Sequence, residues 1–239
     1  MTTSIAAVRN ELADTLAFRS GSKEGVLPPL MIMLTIVTGL VDAVAYLRLG
    51  HVFVANMTGN VVFLGFAAAG AHGLSVGGSL LAIACFLPGG AAAGRLAARF
   101  GDDRLRQLRA ATAAQIALCG VAIIVATPAG DNIDTGRRYS MTALLALAMG
   151  IQNATARRLA VPELTTTVLT LTLTGIAADS WLGGGTGART TRRVLAVAAM
   201  LLGAFVGALL LIHVAPAAPL GVAAAILAVV CTTAHIELR

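Results

Sequence analysis

Charge is the scarcest feature of this sequence. Only 12% of its 239 residues are Asp, Glu, Lys or Arg, whereas soluble domains carry roughly 25%. A chain of this length with so few charges cannot cover its surface in water, which excludes an ordinary soluble domain. Because 57% of its residues are hydrophobic and its mean hydropathy is +0.86, lipid must form part of its solvent.

Cysteine and histidine are also rare, and neither has the spacing of a metal or catalytic site. The three cysteines, Cys85, Cys119 and Cys231, lie inside apolar stretches and are interpreted as small core residues. The histidines fall near the ends of apolar stretches without convergent partners. No Ser/His/Asp or Cys/His arrangement suggests a nucleophile. We therefore predict no metal, no cofactor, no catalytic residue and no enzymatic activity.

Apolar residues are gathered in eight blocks, each close to the length of about 20 residues that crosses a bilayer as a helix. The blocks are 28–47, 52–70, 77–94, 108–127, 140–156, 165–180, 194–213 and 216–234. Asp42 and Asp179 are the only acidic residues inside them, as expected from the cost of placing a charge in hydrocarbon. The blocks lack the alternation of β-barrel strands. The sequence therefore predicts an all-α integral membrane protein.

In the N-terminal leader, residues 1–27, we expect no cleavable signal peptide, because charged residues precede the first apolar block and no cleavage site follows a short core. Ile5, Val8, Leu12 and Leu16 lie near helical spacing. This spacing predicts a helix resting on the membrane surface. A disordered tail is the alternative.

The two halves of the chain repeat the same order of features. Gly39-Leu40-Val41-Asp42-Ala43 closes the first block, and Gly150-Ile151-Gln152-Asn153-Ala154 closes the fifth. Each is followed by a basic connector, a threonine-containing segment and two apolar blocks. The predicted divisions are a first membrane repeat 28–127, an extracytoplasmic connector 128–139, a second repeat 140–235 and a tail 236–239.

The distribution of basic residues predicts the topology. If all eight blocks cross, the 17 Lys and Arg divide almost evenly between the two sides. If 52–70 and 165–180 instead enter and leave on one side, all but Arg48, Arg137 and Arg138 are cytoplasmic. We therefore predict about six transmembrane helices plus two re-entrant or discontinuous segments, in two inverted repeats of three crossings. Both termini are then cytoplasmic. Seven or eight spans are the alternatives.

Polar side chains concentrate in the two segments that are predicted to fall short of crossing. Asn56, Thr58, Gly59 and Asn60 interrupt the first, and poor helix formers at membrane depth suit a cavity or pathway. The second carries several threonines, including Thr166, Thr170 and Thr172. Those at 170, 172 and 174 alternate with leucine, which predicts an extended stretch lined with hydroxyls. The alternative is that each hydroxyl bonds to its own helix and packs there.

Three further side chains are candidates for a solute or ion pathway. Asp42 is a carboxylate inside a span, where it would accept a proton or help to bind a cation. The alternative is an interfacial pair with Arg48. Gln152 and Asn153 would either replace the water of a solute or form hydrogen bonds between helices. The GxxxG pairs Gly90/Gly94 and Gly203/Gly207 permit close packing of helices, within the chain or in a homodimer.

The motifs 39–43, Phe53-Val54-Ala55-Asn56-Met57-Thr58-Gly59-Asn60 and 150–154 resemble the YoaK family of bacterial inner-membrane proteins, also called domain of unknown function 1275. The resemblance runs from about residue 30 to 235. It implies a roughly six-span protein of the bacterial inner (cytoplasmic) membrane with a transport-related function, and it brings no established substrate.

These observations predict a transporter or channel for a small solute or ion, with a polar pathway formed by segments 53–60 and 165–174. A membrane scaffold or assembly factor without flux is the alternative. The lipid bilayer is the expected partner. The net charge of +6 does not indicate nucleic acid, because the basic residues flank the spans.

Overall fold

In the computed structural model the chain is described over residues 5–16, 24–127, 133–166, 169–180, 183–185 and 189–239. All regular secondary structure in these ranges is helical. The helices are α1 (Ile5–Leu16), α2 (Leu27–Arg48), α3 (Met57–Ala68), α4 (Val76–Phe100), α5 (Arg104–Ala126), α6 (Thr135–Leu159), α7 (Leu169–Ala178), α8 (Thr190–His213) and α9 (Ala218–Ile236). Parts of the predicted leader and connector, 17–23 and 128–132, lie outside the described residues, as do Thr167 and Trp181.

Five helices, α2, α4, α5, α8 and α9, are long and apolar enough to cross a membrane. The prediction of a multi-pass α-helical membrane protein is therefore confirmed. The helix α6 has 25 residues, a length of about 37 Å, but its arginines at both ends, with Gln152 and Asn153, make it too polar to be identified as a span by composition. It packs against α2, α4 and α5, so much of its polar surface is covered by protein.

In the two blocks predicted to fall short, the described residues form one short helix each. The helices α3 and α7 have 12 and 10 residues, which corresponds to about 18 and 15 Å. The hydrocarbon core of a bilayer is about 30 Å thick. Irregular backbone precedes both helices, at 51–56 and 160–166. The helical part of each block is therefore too short to cross on its own.

The threonine-rich part of the second segment is helical, so the expectation of an extended stretch at 170–174 is wrong. Within α7 the Thr174 hydroxyl donates to the Thr170 carbonyl at 2.8 Å. This is the back-bonding that satisfies a hydroxyl within its own helix. Of the three alternating threonines only Thr172 is buried, while Thr170 and Thr174 are exposed, so the period of two does not correspond to one buried face.

Contacts among the membrane helices follow a repeating plan. In each half, the first long helix packs against the two long helices of the other half: α2 contacts α8 and α9, and α6 contacts α4 and α5. Each short helix packs against the next helix of its own half, α3 on α4 and α7 on α8. When α2–α5 are exchanged with α6–α9, the α2–α6 and α5–α9 contacts map onto themselves, and every other contact between these helices maps onto a second observed contact.

Glycines allow the helix backbones to approach closely where α2 packs against α8 and where α4 packs against α6. A Cβ atom added at Gly39 would collide with the backbone of α8 near Met200, and one added at Gly150 would collide with the Phe86 carbonyl of α4. Gly203 and Gly207 face Ile36 and Leu40 of α2 in the same way. This GxxxG pair is thus occupied by packing within the chain.

The N-terminal helix predicted from spacing is present as α1, and it contacts α8. The Glu11 carboxylate accepts from the Arg192 N–H at 3.3 Å, and the Thr15 hydroxyl lies 3.4 Å from the Arg192 Nε. At the other end of the protein, Asp134 caps the start of α6 by accepting from the Arg137 N–H at 3.0 Å. That hydrogen bond is the main cause that lowers the pKa of Asp134 below its ordinary value.

Candidate functional site

Asp42 holds the irregular segment that follows α2. Its side chain is buried on α2, and its Oδ1 accepts from the N–H groups of Val54 and Ala55, both at 3.0 Å. Its Oδ2 accepts from the Asn56 side-chain amide. Three donors therefore surround the carboxylate, as expected for a buried charge that hydrogen bonds must compensate.

Asn60 fixes the same segment from the opposite side. Its Oδ1 accepts from the Phe53 N–H at 2.9 Å, and its Nδ2 donates to the Phe53 carbonyl at 2.6 Å. Because Asn60 lies in the first turn of α3, these two hydrogen bonds join the backbone of Phe53 to the start of that helix. The Phe53 ring stacks between Tyr46 and Phe63, with centroids 5.2 and 6.0 Å apart.

Gly59 is required beside Phe53, because a Cβ atom there would lie 2.6 Å from the ring. Thr58 is exposed. The Asn56–Asn60 cluster therefore forms one structural unit with Asp42, in which the polar groups mostly bind the local backbone. We name the unit formed by Asp42, residues 53–56 and Asn60 the first-half plug.

Gln152 forms a hydrogen bond between helices at the centre of the bundle. Its Nε2 donates to the Leu34 carbonyl at 3.1 Å and to the Thr38 hydroxyl at 2.8 Å. Gln152 and Thr38 are fully buried. The geometry therefore matches the interpretation of Gln152 as an interhelical contact between α6 and α2.

Asn153 lines a cavity of about 710 Å³ between α4 and α6. Its Nδ2 donates to the Met149 carbonyl at 2.9 Å. The lining residues are Phe86, Gly90, Gly150, Asn153, Ala154, Ala156, Arg157, Arg158, Ala160 and Thr165. Asn153 and Asp42 hold equivalent positions in the repeated motifs, so the same position is enclosed in the first half and borders a cavity in the second.

The predicted threonines do not join the other candidates. Thr166 precedes α7 with a positive φ of 65° and is buried. Thr172 is buried, whereas Thr170 is exposed. The helices of the two segments pack against different neighbours, α3 on α4 and α7 on α8.

The sequence reasoning missed an ion-pair cluster around the buried Arg193: it gave Glu163 no role and noted Asp179 only as an acidic residue inside an apolar block. Arg193 of α8 donates from Nε and Nη2 to Glu163 at 2.7 and 3.0 Å, and its Nη2 lies 2.6 Å from Asp179. Its Nη1 donates to the Gly175 carbonyl at 2.7 Å. The only signal in the sequence was an arginine early in a span with acidic residues flanking the preceding short segment.

Gly175 is necessary in this cluster, since a Cβ atom there would lie 2.7 Å from the Arg193 guanidinium carbon. The cluster ties the 160–166 connector and α7 to α8. Because Ala160 and Thr165 line the α4–α6 cavity, Arg193 fixes part of the wall of that cavity.

A second cavity of about 410 Å³ lies at the opposite end of α6. Its lining residues are Leu47, Arg48, Gly50, His51, Gly73, Leu74, Ser75 and Arg138. Among the residues that the structure describes, no group of three His, Cys, Asp or Glu side chains is close enough to hold a metal ion.

Comparison with known proteins gives a family but no activity. A 150-residue stretch is 32% identical to the UPF0700 transmembrane protein YoaK of Bacillus subtilis (strain 168), covering 63% of this chain and 65% of that protein. The chain thus spans about two thirds of the length of this curated relative. No solved structure is significantly similar to this chain. The model of the family "Protein of unknown function (DUF1275)" matches residues 30–233. The chain belongs to this DUF1275 family.

Proposed function

We propose that this protein moves a small solute across the bacterial inner membrane by alternating access between two inverted halves, α2–α5 and α6–α9. Six long helices cross in this arrangement, α3 and α7 are re-entrant, and both termini are cytoplasmic. The exchange of helix contacts between halves supports the repeat. The basic residues support the orientation, because only Arg48, Arg137 and Arg138 then lie outside.

The asymmetry between the two halves carries this proposal. In the first half this position is enclosed: Asp42 is 5% exposed, and Val52 and Val54 of the segment bound to it are fully buried. The equivalent position in the second half, Asn153, borders the α4–α6 cavity. In an inverted-repeat transporter whose binding site is accessible from one side of the membrane, one half has the closed arrangement and the equivalent part of the other half is open. The open side is cytoplasmic in the proposed topology.

The candidate residues then have separate roles. Asp42, Asn56, Thr58, Gly59 and Asn60 belong to the half that is closed in this state. Gln152 joins the halves at their centre, and Asn153 borders the accessible pathway. The threonines 166, 170 and 172 belong to the segment that would close over the α4–α6 cavity when the second half takes the plugged arrangement of the first.

The topology has a direct test by cysteine labelling. In a variant lacking Cys85, Cys119 and Cys231, single cysteines at Gly50 and His72 should both react with a membrane-impermeant maleimide in intact cells. A cysteine at Asp102 should react only after permeabilisation. Reaction of the position-72 cysteine only in permeabilised cells would show that 52–70 crosses, and the inverted repeat would be wrong.

Flux through purified protein tests the function itself. We expect proteoliposomes to take up at least one of glycerol, alanine, choline chloride or potassium benzenesulfonate (with valinomycin), measured by osmotic swelling. Filling the cavity by Gly90→Phe should abolish this uptake, because Gly90 lines the cavity. Gly94→Phe is the matched control one turn along α4, where an added Cβ atom meets nothing within 4 Å.

A scaffold or assembly factor without flux remains the alternative. Folded wild-type protein that moves none of these solutes would favour it. Equal uptake in the two glycine variants would instead show a pathway elsewhere in the molecule.

A further inference from the structure

The α4–α6 cavity carries charge of one sign. Arg157 and Arg158 line it and are exposed, and no Asp or Glu is among its lining residues. In the described part of the chain neither guanidinium has a carboxylate partner. Other arginines near this end are neutralised, as Arg192 is by Glu24 at 2.7 Å and Arg193 is by Glu163. The charges of Arg157 and Arg158 can therefore interact with an anion in the cavity.

The remaining walls of the cavity are apolar or neutral. Phe86 and several glycine and alanine residues supply an apolar surface, while Asn153 and Thr165 supply an amide and a hydroxyl. Two guanidinium groups beside an apolar surface suit a molecule with one acidic group and an apolar part, since guanidinium binds carboxylate and phosphate-like oxygens in a fork. A volume of about 710 Å³ is within the range of small-molecule sites.

The far end of α6 has the same sign of charge. Arg138 lines the second cavity, and the described lining there includes no Asp or Glu. Arg138 and Arg158 are separated along α6 by about 30 Å, which matches the hydrocarbon thickness. Positive charge beside a cavity attracts anions and repels cations.

From this geometry we propose that the α4–α6 cavity binds a small organic anion, with its acidic group at Arg157 and Arg158 and its apolar part on Phe86. As the solute that is moved, this anion rests on the transport function proposed above. The acidic group of an anionic lipid would present the same chemistry, so the test must distinguish a soluble anion from a lipid headgroup.

Benzenesulfonate is a suitable probe, because it stays charged at all working pH values and has one apolar face. Wild-type protein in neutral detergent should be thermally stabilised by it. The double variant Arg157→Gln/Arg158→Gln should lose this stabilisation, and its benzenesulfonate uptake in liposomes should fall about tenfold. The control Arg99→Gln/Arg106→Gln removes the same charge from exposed positions outside the cavity and should behave as wild type.

The outcomes separate this inference from the transport proposal. Stabilisation of wild type but not of the Arg157/Arg158 variant supports the anion site even if no solute moves. Uptake of glycerol, alanine or choline without any response to benzenesulfonate overturns the anion site and leaves transport intact. Stabilisation by phosphatidylglycerol but not by benzenesulfonate also overturns it, because the cavity is then a lipid site.

Discussion

Replacing Arg193 with alanine is expected to destabilise the purified protein by roughly 2 kcal/mol, because it removes a buried cation that binds two carboxylates and a backbone carbonyl. Arg193 is 9% exposed as a side chain, and its loss leaves Glu163, at 22%, without its bidentate partner. The Gly175 carbonyl loses a donor as well. Arg193→Lys should recover part of the loss, since an ammonium replaces the charge but not the fork.

The matched control for this experiment is Arg106→Ala. Arg106 pairs with Asp103 at 2.9 Å, but its side chain is 59% exposed, so its loss should cost less than about 1 kcal/mol. Thermal unfolding in the same detergent measures both. Equal melting temperatures for the two variants would show that the Arg193 cluster contributes no more than a surface pair.

The same substitution tests whether the cluster supports the cavity. Because Arg193 binds Glu163 in the connector whose Ala160 and Thr165 line the α4–α6 cavity, we expect uptake to fall in Arg193→Ala at temperatures where the protein is still folded. Unchanged uptake in folded protein would limit the role of the cluster to stability.

Asp42→Ala is the second large effect, with an expected loss of roughly 2–5 kcal/mol, since it leaves the buried Val54 and Ala55 N–H groups without an acceptor. Asp42→Asn should be milder, because one oxygen can still accept from both N–H groups. Its amide nitrogen would then face the Asn56 amide, which is a donor to Oδ2 in the native protein.

The exchange variant Asp42→Asn/Asn56→Asp makes this prediction specific. It restores one donor and one acceptor across the pair, so its melting temperature should exceed that of Asp42→Asn alone. A role for Asp42 in binding a proton or cation gives a different pattern: Asp42→Asn keeps the wild-type melting temperature but loses uptake. Measuring both quantities in all three variants decides between a structural plug and a coupling site.

The sequence predicted where the polar side chains would be concentrated but not what they would contact. Asn56 and Asn60 were recognised because poor helix formers inside an apolar block are detectable locally. Their partners, Asp42 and the Phe53 backbone, depend on the path of the chain between α2 and α3. The threonine pattern misled for a related reason: a period of two does not exclude a helix when one face packs on a neighbour and the hydroxyls bond to their own backbone.

The sequence by itself determined the membrane class, the family and the doubled order of features, because composition and the cost of burying charge act block by block along the chain. The tertiary structure decided which long helices contact each other and that α3 and α7 are short. It also decided that the same motif position is buried and hydrogen-bonded at Asp42 but borders a cavity at Asn153. It also decided that Arg193, Glu163 and Asp179 form one cluster. Such contacts join residues far apart in sequence, and their energies depend on helix packing and burial that no local pattern records.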